Sequence, residues 1–280
     1  MHAMPPSRTI AASAALIAVL CFAGASAATQ TQAPDAAAFQ GEPLEQFLAK
    51  ARMVRMRDAG SGVTAPQRVT LERDGVTRDA VFKIIDEYRP GVSQIGQVRE
   101  VEFQDSWQTE IPAYVIDRWL GLGMVPATVE RTINGHTGSL QLWVTSMASE
   151  EGRRTKGLTP PDQEAFNRLM LKMQLFDQLI CNVDRHLNNV LITENFELRL
   201  IDHSRAFRPL NELRDPSLLP RFSRSLLDAL PRLERQALKK RVGMYLRDSQ
   251  ITALLKRRDA ILALAKQRIA EHGEAAVIYP

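Results

Sequence analysis

Cysteine is scarce in this chain of 280 residues, which contains only Cys21 and Cys181. We expect the first to be lost with a cleaved N-terminal segment, so that a single thiol remains. A single thiol excludes an intramolecular disulfide, and the protein must therefore be stabilised by its hydrophobic core. At 45% hydrophobic residues the chain can bury such a core, as one two-lobed domain or as two small domains. We interpret Cys181 as a packing residue rather than a reactive thiol.

Long apolar runs are also missing. The run from Ile10 to Phe22 falls short of the roughly 18 residues that a membrane-spanning helix needs. One basic residue precedes this run and the small residues Ala25-Ser26-Ala27 follow it, which is the pattern of a cleaved signal peptide. We therefore predict a signal peptide at 1–27, a flexible leader at 28–43, and an exported protein, periplasmic or secreted, without a stable membrane span. An uncleaved N-terminal anchor is the open alternative.

Neither sign of charge dominates the sequence. Of its 36 basic and 32 acidic residues, removal of the signal peptide would take away only Arg8, which leaves 35 against 32 and a net charge of +3. So mild a charge does not indicate a nucleic-acid partner, and we predict none. Basic residues gather after Asp202, where they favour either an anionic partner or, more simply, solvated helix faces.

A complete Gly-x-Gly-x-x-Gly loop is absent. The sequence has instead Gly60-Ser61-Gly62 ahead of an alternating run at Arg68–Glu72, a turn signal at Asp74-Gly75 and a returning strand at Thr77–Ile85. A glycine-containing loop that leads into a hairpin can lay backbone N–H groups along phosphates, which makes Gly62 a candidate nucleotide-binding residue. A plain turn accounts equally well for the same residues.

Lys83 stands on that returning strand at a position that the alternation points inward. An inward lysine needs a carboxylate partner. The next helical pattern covers Thr109–Leu120 and carries Glu110 in its first turn, so we predict that Glu110 is the partner of Lys83. Glu100 and Glu102 are lesser candidates, and complementing the helix dipole is an alternative role for Glu110.

Chemically active side chains concentrate between residues 176 and 207. The segment contains, in chain order, a polar loop at Asn182–Asn189, strand patterns at Val190–Thr193 and Phe196–Ile201 joined by Glu194-Asn195, and then Asp202. A hairpin at this place brings its two ends together, so that Asp184, Asn189 and Asp202 converge. Carboxylate and amide oxygens in such an arrangement suit Mg²⁺.

The order Asp184-Arg185-His186-x-x-Asn189, with Ile201-Asp202-His203 after the hairpin, resembles the catalytic motifs of phosphatidylinositol 3-/4-kinases and their bacterial relatives, including HipA-type kinases. It is also similar to atypical kinases of the secretory pathway. The resemblance implies an α+β, two-lobed protein-kinase-like fold, with a β-rich N-lobe at 44–148 and a mainly helical C-lobe at 149–280. A polar loop in which Asp and Asn serve only turn chemistry is the alternative.

The resemblance also implies a reaction and a role for each candidate residue. The chain would move the γ-phosphoryl group of ATP to a hydroxyl of a protein, a lipid or a small molecule, with Mg²⁺ or Mn²⁺. By this resemblance Asp184 would align or deprotonate the acceptor, and His186 would share in that base chemistry or shape the loop. Asn189 and Asp202 would bind the metal. Lys83 would bind the α- and β-phosphates, and Glu110 would orient Lys83.

The sequence departs from conventional protein kinases immediately after the metal aspartate. His203 and Ser204 replace the Phe and Gly found there, so an activation switch based on those two residues is not expected. Export raises a second difficulty because ATP is scarce outside cells, and an exported kinase needs a nucleotide-containing compartment or another donor. The alternative function is therefore a nucleotide-binding pseudokinase that acts as a scaffold or binding module.

The remaining patterns predict the elements that surround this site. They indicate a helix leading into a strand at Pro43–Met56, strands at Val125–Arg131 and Ser139–Val144, a nucleotide hinge at Thr145–Ala148, and helices at Ser223–Tyr245 and Ser249–Glu271. The stretch Thr159-Pro160-Pro161-Asp162 predicts a further helix with Thr159 as its N-cap, which continues through Phe176 into the catalytic loop.

Overall fold

The structure is a computed structural model that describes residues 1–2, 39–60 and 66–280. The elements below all belong to one compact unit, Pro34–Pro280. The predicted signal peptide beyond His2, the leader before Phe39, and Gly62 lie outside the described residues. Within the described ranges, no helix is both long and apolar enough to cross a membrane.

The N-terminal region is built on a five-stranded antiparallel sheet with the strand order β1-β2-β3-β7-β6. Its elements in chain order are α1 (Glu42–Lys50), β1 (Arg52–Asp58), β2 (Gln67–Arg73), β3 (Val76–Lys83), β4 (Asp86–Ile95), β5 (Val98–Ser106), α2 (Glu110–Leu120), β6 (Thr128–Ile133) and β7 (His136–Leu142). The predicted helix-to-strand entry, the β2–β3 hairpin and α2 are present.

Alternation in β3 decides which side chains face the core. Ala80 and Phe82 are buried in the same apolar cluster as Leu48 of α1 and Ile116 of α2. Lys83 follows Phe82 in the strand and therefore lies on the opposite face of the sheet. The hairpin turn is Asp74-Gly75, whose φ values of 52° and 76° require the left-handed region that glycine tolerates best.

Strands β4 and β5 form a separate two-stranded antiparallel sheet between β3 and α2, and no sequence pattern predicted it. The pairing is irregular between Arg89 and Val92, and Glu102 on the opposite strand has a φ of 53°. Such a β-bulge shifts side chains to the other face of the strand and so breaks the two-residue alternation that identifies a strand. Arg89-Pro90-Gly91 consequently resembles a turn rather than the middle of a strand.

The C-terminal region is mainly helical, which confirms the predicted α+β class with a β-rich first lobe and a helical second lobe. Its elements in chain order are β8 (Ala148–Ser149), α3 (Glu150–Thr155), α4 (Gln163–Ile180), β9 (Val190–Ile192), β10 (Leu198–Leu200), β11 (Phe222–Ser223), α5 (Arg224–Ala229), α6 (Arg235–Val242), α7 (Asp248–His272), α8 (Glu274–Val277) and β12 (Ile278–Tyr279). The predicted β9–β10 hairpin is present and also pairs with β8.

Proline corrects two of the predicted helix boundaries. The N-cap of α4 is Asp162, whose carboxylate accepts from the N–H of Ala165 at 2.9 Å, and not Thr159. The second of two consecutive prolines forces the first out of the helical region, so no helix can begin before Pro161. The predicted helix over 223–245 is broken into α5, a 3₁₀ turn containing Pro231, and α6. The predicted helix over 249–271 is present as α7, with Gly273 as its C-cap.

Helix α7 is attached to the chain that follows Asp202. The fully buried Arg257 donates to the carbonyl oxygens of Leu179 at 2.9 Å, Arg208 at 3.1 Å and Leu210. Gln250, also on α7, donates to the carbonyl of Phe207 at 3.0 Å. Two side chains of one helix therefore bind backbone carbonyls at the end of α4 and in the segment 207–210.

Candidate active site

Lys83 bridges two carboxylates that come from distant parts of the sequence. Its Nζ lies 2.5 Å from Oε1 of Glu110 on α2 and 2.8 Å from Oδ1 of Asp202. The predicted pairing of Lys83 with Glu110 is thus present, while Glu100 and Glu102 have other partners. The side chains of Lys83 and Glu110 are only 13% and 2% exposed, so this is a buried charge cluster.

Burial and ion pairing have opposite effects on the pKa values of Lys83 and Glu110. Burial by itself would lower the pKa of Lys83, but the carboxylates of Glu110 and Asp202 outweigh it and raise the pKa above its usual range. Burial would likewise raise the pKa of Glu110, yet Lys83 and the hydrogen bond with His203 hold that pKa well below normal. Both groups are therefore charged at neutral pH.

The catalytic loop begins where α4 ends at Cys181, which has the left-handed φ of 50°. Cys181 is fully buried and burial raises the pKa of its thiol, in keeping with a packing residue. Arg185 fixes the loop from inside. Its guanidinium bonds both carboxylate oxygens of Asp177, at 2.9 and 3.0 Å, and donates to the carbonyl of Ile201 at 2.8 Å.

Asp184 and His186 form a second pair in this loop. Nε2 of His186 lies 2.9 Å from Oδ1 of Asp184, and the other carboxylate oxygen lies 3.3 Å from Arg205. Arg205 in turn contacts Glu100 of β5, which also binds Arg208 at 2.7 Å. No sequence pattern separates Arg205 from the other basic residues after Asp202 or connects Glu100 with Asp184.

The β9–β10 hairpin joins the ends of the motif as predicted. The N–H of Ile201 donates to the carbonyl of Asn189 at 3.1 Å, and the side-chain amide of Asn189 lies 3.5 Å from Oδ2 of Asp202. Asp202 has a φ of 60°, a region that non-glycine residues rarely adopt and that often marks a functional site.

Asp105 is a further carboxylate at this site that the sequence did not single out. Its Oδ1 is buried and has no hydrogen-bond partner. Burial raises the pKa of Asp105, the hydroxyl of Ser204 opposes that effect, and the neighbouring charge of Asp202 adds to it. A single acid at the end of β5 cannot be distinguished by pattern from Glu100 or Glu102, which precede it on the same strand.

These oxygens fit a divalent cation. Asp202, Asn189 after rotation of its amide, and the unpartnered oxygen of Asp105 are hard ligands of the kind that Mg²⁺ and Mn²⁺ take. In the described residues, no three side chains of the His, Cys, Asp and Glu types form a complete metal cluster. Magnesium commonly needs only one or two protein carboxylates, because substrate phosphates and water complete its shell.

His203 lies at the centre of the polar network behind Asp202. It is fully buried, and burial lowers the pKa of its imidazole, so the ring is neutral. Its Nε2 lies 2.9 Å from Arg185 of the catalytic loop, and its backbone N–H donates to Oε2 of Glu110 at 3.1 Å. Where the conventional motif has a packed phenyl ring, this chain therefore has a histidine that makes polar contacts.

Comparison with solved structures reveals the fold to which these elements belong. A hydra Fam20 structure with sugar superposes with a TM-score of 0.64 at 17% identity, and the match covers 84% of this chain and 91% of that one. The Golgi casein kinase superposes with a TM-score of 0.60 at 16% identity, covering 84% of this chain and 78% of that one. No family model matches the sequence, and the search of curated proteins finds no similar sequence. Similarity at this level of identity concerns the fold, and the chain has the fold of an atypical protein kinase.

Proposed function

We propose that this protein is an ATP-dependent phosphotransferase that moves a γ-phosphoryl group to a hydroxyl acceptor. One observation carries the proposal: Lys83 contacts Glu110 and Asp202 within 2.8 Å, although the three residues come from β3, α2 and the end of the β9–β10 hairpin. A phosphate-binding cation, its orienting carboxylate and a metal carboxylate are the groups that phosphoryl transfer requires at one place.

Phosphoryl transfer demands positioning and charge neutralisation more than covalent chemistry. Lys83 would bind the α- and β-phosphates, and Glu110 would hold its ammonium in place. Asp184 would align the acceptor hydroxyl and take its proton at the carboxylate, while His186 and Arg205 fix the orientation of that carboxylate. A glycine at position 62 would supply backbone N–H groups to the phosphates.

The divalent cation, when bound, would neutralise charge on the β- and γ-phosphate oxygens. Asn189 and Asp202 would hold it, and we add Asp105 to this set because one of its oxygens is buried without a partner and its carboxyl group interacts electrostatically with Asp202. Mg²⁺ and Mn²⁺ both suit oxygen ligands, so both are to be tested.

Incubation of the purified protein with γ-labelled ATP and Mg²⁺ or Mn²⁺ tests the proposal. Label is scored on the protein itself, on casein and on phosphoinositides, which separates protein from lipid acceptors. Casein is included because one structural neighbour is a casein kinase. We expect metal-dependent transfer that is lost in Asp184→Asn. Nucleotide binding without transfer to any acceptor would favour the pseudokinase function instead.

Export is part of the proposal. One structural neighbour is a Golgi protein by name, and the sequence has the pattern of a signal peptide at 1–27. We propose that the chain is exported and that its mature form begins near Ala28. N-terminal sequencing of the protein recovered from outside the cytoplasm tests this, and an intact Met1 would contradict it.

A further inference from the structure

His203 contacts the catalytic loop through its side chain and also contacts the helix that carries Glu110. On the loop side its Nε2 lies 2.9 Å from NH2 of Arg185. On the helix side its Nδ1 lies 3.6 Å from Oε2 of Glu110, and its carbonyl accepts from Thr109 at 2.8 Å. The residue is fully buried, so water cannot substitute for these protein groups.

The contact with Arg185 determines which ring nitrogen carries the proton. A guanidinium has only donors, so Nε2 must be the unprotonated acceptor. With Nε2 unprotonated, the ring carries its proton on Nδ1, which lies 3.6 Å from Oε2 of Glu110. Nδ1 has no hydrogen-bond partner at the distance observed, although Glu110 accepts the backbone N–H of the same residue at 3.1 Å.

Arg185 extends this connection to the other parts of the site. The same guanidinium donates to the carbonyls of Asn189 at 3.2 Å and Ile201 at 2.8 Å, the residues that flank the hairpin. Glu110 holds Lys83 on the other side. A continuous chain of polar contacts therefore runs from the hairpin through Arg185, His203 and Glu110 to Lys83.

We infer that His203 is a positioning residue that fixes Lys83, through Glu110, relative to the catalytic loop. The inference rests on the proposed function, because it assigns His203 a task in nucleotide binding. A phenyl ring at this place would fill the volume but could not accept from Arg185, and only the backbone N–H of residue 203 would still bind Glu110. The side-chain link between Arg185 and the residue that binds Glu110 would then be lost while the packing is kept.

A double-mutant cycle on the affinity for Mg²⁺–ATP tests this role. His203→Phe should weaken binding about tenfold in the otherwise unchanged protein, equivalent to about 1.4 kcal/mol. In the Lys83→Met background the same substitution should change affinity less than about twofold, because the group it acts through is gone. His203→Gln, whose side-chain oxygen can accept from Arg185, should restore most of the affinity.

Thermal unfolding of each variant shows whether it folds. If His203→Phe does not fold, His203→Asn replaces it, because the asparagine side chain is too short to reach Arg185. Equal losses in both backgrounds, or unchanged affinity in the first, would overturn the role of His203 and leave the phosphotransferase proposal standing. If the unchanged protein does not bind Mg²⁺–ATP, both the role of His203 and the phosphotransferase proposal are overturned. This outcome is distinct from a failure of the His203 role alone, because it is seen without any substitution.

Discussion

Lys83 is the residue on which the stability and the chemistry of the site both depend. Lys83→Met leaves Glu110 buried without its cation, and breaking such a pair costs about 3–5 kcal/mol of unfolding free energy. The nucleotide should also bind more weakly. Adding Glu110→Gln removes the buried charge, so stability should recover while nucleotide affinity does not. Urea unfolding and nucleotide titration measure the two effects.

Lys50→Met, at an exposed position of α1, is the matched control and should change neither quantity.

In Lys83→Met the buried carboxyl group of Glu110 no longer has a cation beside it, which changes the pH dependence of stability. Its pKa should rise above the unfolded value, so that the variant loses stability as pH increases through the neutral range. A variant as stable as the unchanged protein at pH 8 would show that Glu110 is not held by Lys83.

Substitutions of Asp202 and Asp184 should have different effects, the first on nucleotide binding and the second on turnover. Asp202→Ala removes a metal ligand and a partner of Lys83, so Mg²⁺-dependent stabilisation by nucleotide, normally about 3 kcal/mol at a hundredfold excess over Kd, should vanish. Asp184→Asn keeps the size of the side chain and its contact with Arg205, so the nucleotide complex should form. Turnover should fall by about 10²-fold or more, the usual contribution of a positioned base.

Thermal shift with nucleotide and metal measures the first effect, and the transfer rate measures the second. Wild-type transfer rates in Asp184→Asn, autophosphorylation included, would remove Asp184 from the reaction. A nucleotide-dependent shift that persists in Asp202→Ala would remove Asp202 from the metal site.

At the scale of elements, the β4–β5 hairpin is connected to the catalytic loop through one carboxylate. Glu100 binds Arg205 and the nearly buried Arg208, and Arg205 reaches Asp184. Glu100→Gln should therefore cost about 2 kcal/mol of stability, below the cost of a fully buried pair because two of the three groups keep some solvent contact. It should lower the transfer rate while leaving nucleotide affinity nearly unchanged, since Lys83 is not involved.

Glu102→Gln is the control for this prediction, because it changes the same strand by the same chemistry. Glu102 bonds the hydroxyl of Tyr88 and the N–H of Gly91 at the surface and does not contact Arg205. Equal effects of the two substitutions on transfer would mean that the hairpin acts only as a structural unit.

Helix α2 carries a second buried acid, Asp117, whose effect is on the pH dependence of folding. It accepts from the side chain of Gln40 at 2.5 Å and from the N–H of Met124 at 3.1 Å, and burial raises its pKa to about 7. The unfolded carboxyl ionises near pH 4, so between about pH 4 and pH 7 only the folded protein keeps the proton. The unfolding free energy should therefore fall by a few kcal/mol across that interval.

Asp117→Asn has no proton to lose and should flatten this part of the curve. Urea unfolding of both proteins at half-unit intervals between pH 4.5 and 8 measures the difference. Identical pH profiles would mean that Asp117 is ionised in the folded state.

For the molecule as a whole, the sequence predicted the parts whose chemistry is local. The hairpin that follows Asp184 and Asn189 was accessible because strand alternation and turn signals extend over a few residues. The pairing of Lys83 with Glu110 is the exception, a tertiary contact between residues 27 apart that was predicted because an inward lysine needs a carboxylate partner. The functional roles of these residues stay predictions, as does that of Gly62, which lies outside the described residues.

Features that depend on tertiary contacts were not accessible. The β-bulge hides the β4–β5 hairpin, and Asp105 becomes notable only because burial leaves one of its oxygens without a partner. The wrong N-cap at Thr159 has a local cause, since two adjacent prolines delay the helix by three residues. His203 could be recognised as a departure from the motif, but its partners Arg185 and Glu110 appear only in the folded chain.

The attachment of α7 to the chain after Asp202 has a consequence for dynamics. Phe207 donates its N–H to Ile180 at 2.6 Å and its carbonyl accepts from Gln250, while Arg257 holds the next carbonyls. An amide bonded in this way exchanges with deuterium only when the surrounding helices separate. We expect the Phe207 amide to exchange as slowly as those in the interior of α7, with or without nucleotide. Fast exchange that slows on nucleotide binding would contradict this. Slow exchange would mean that the chain after Asp202 opens together with α7 as one unit, whether or not a ligand is bound.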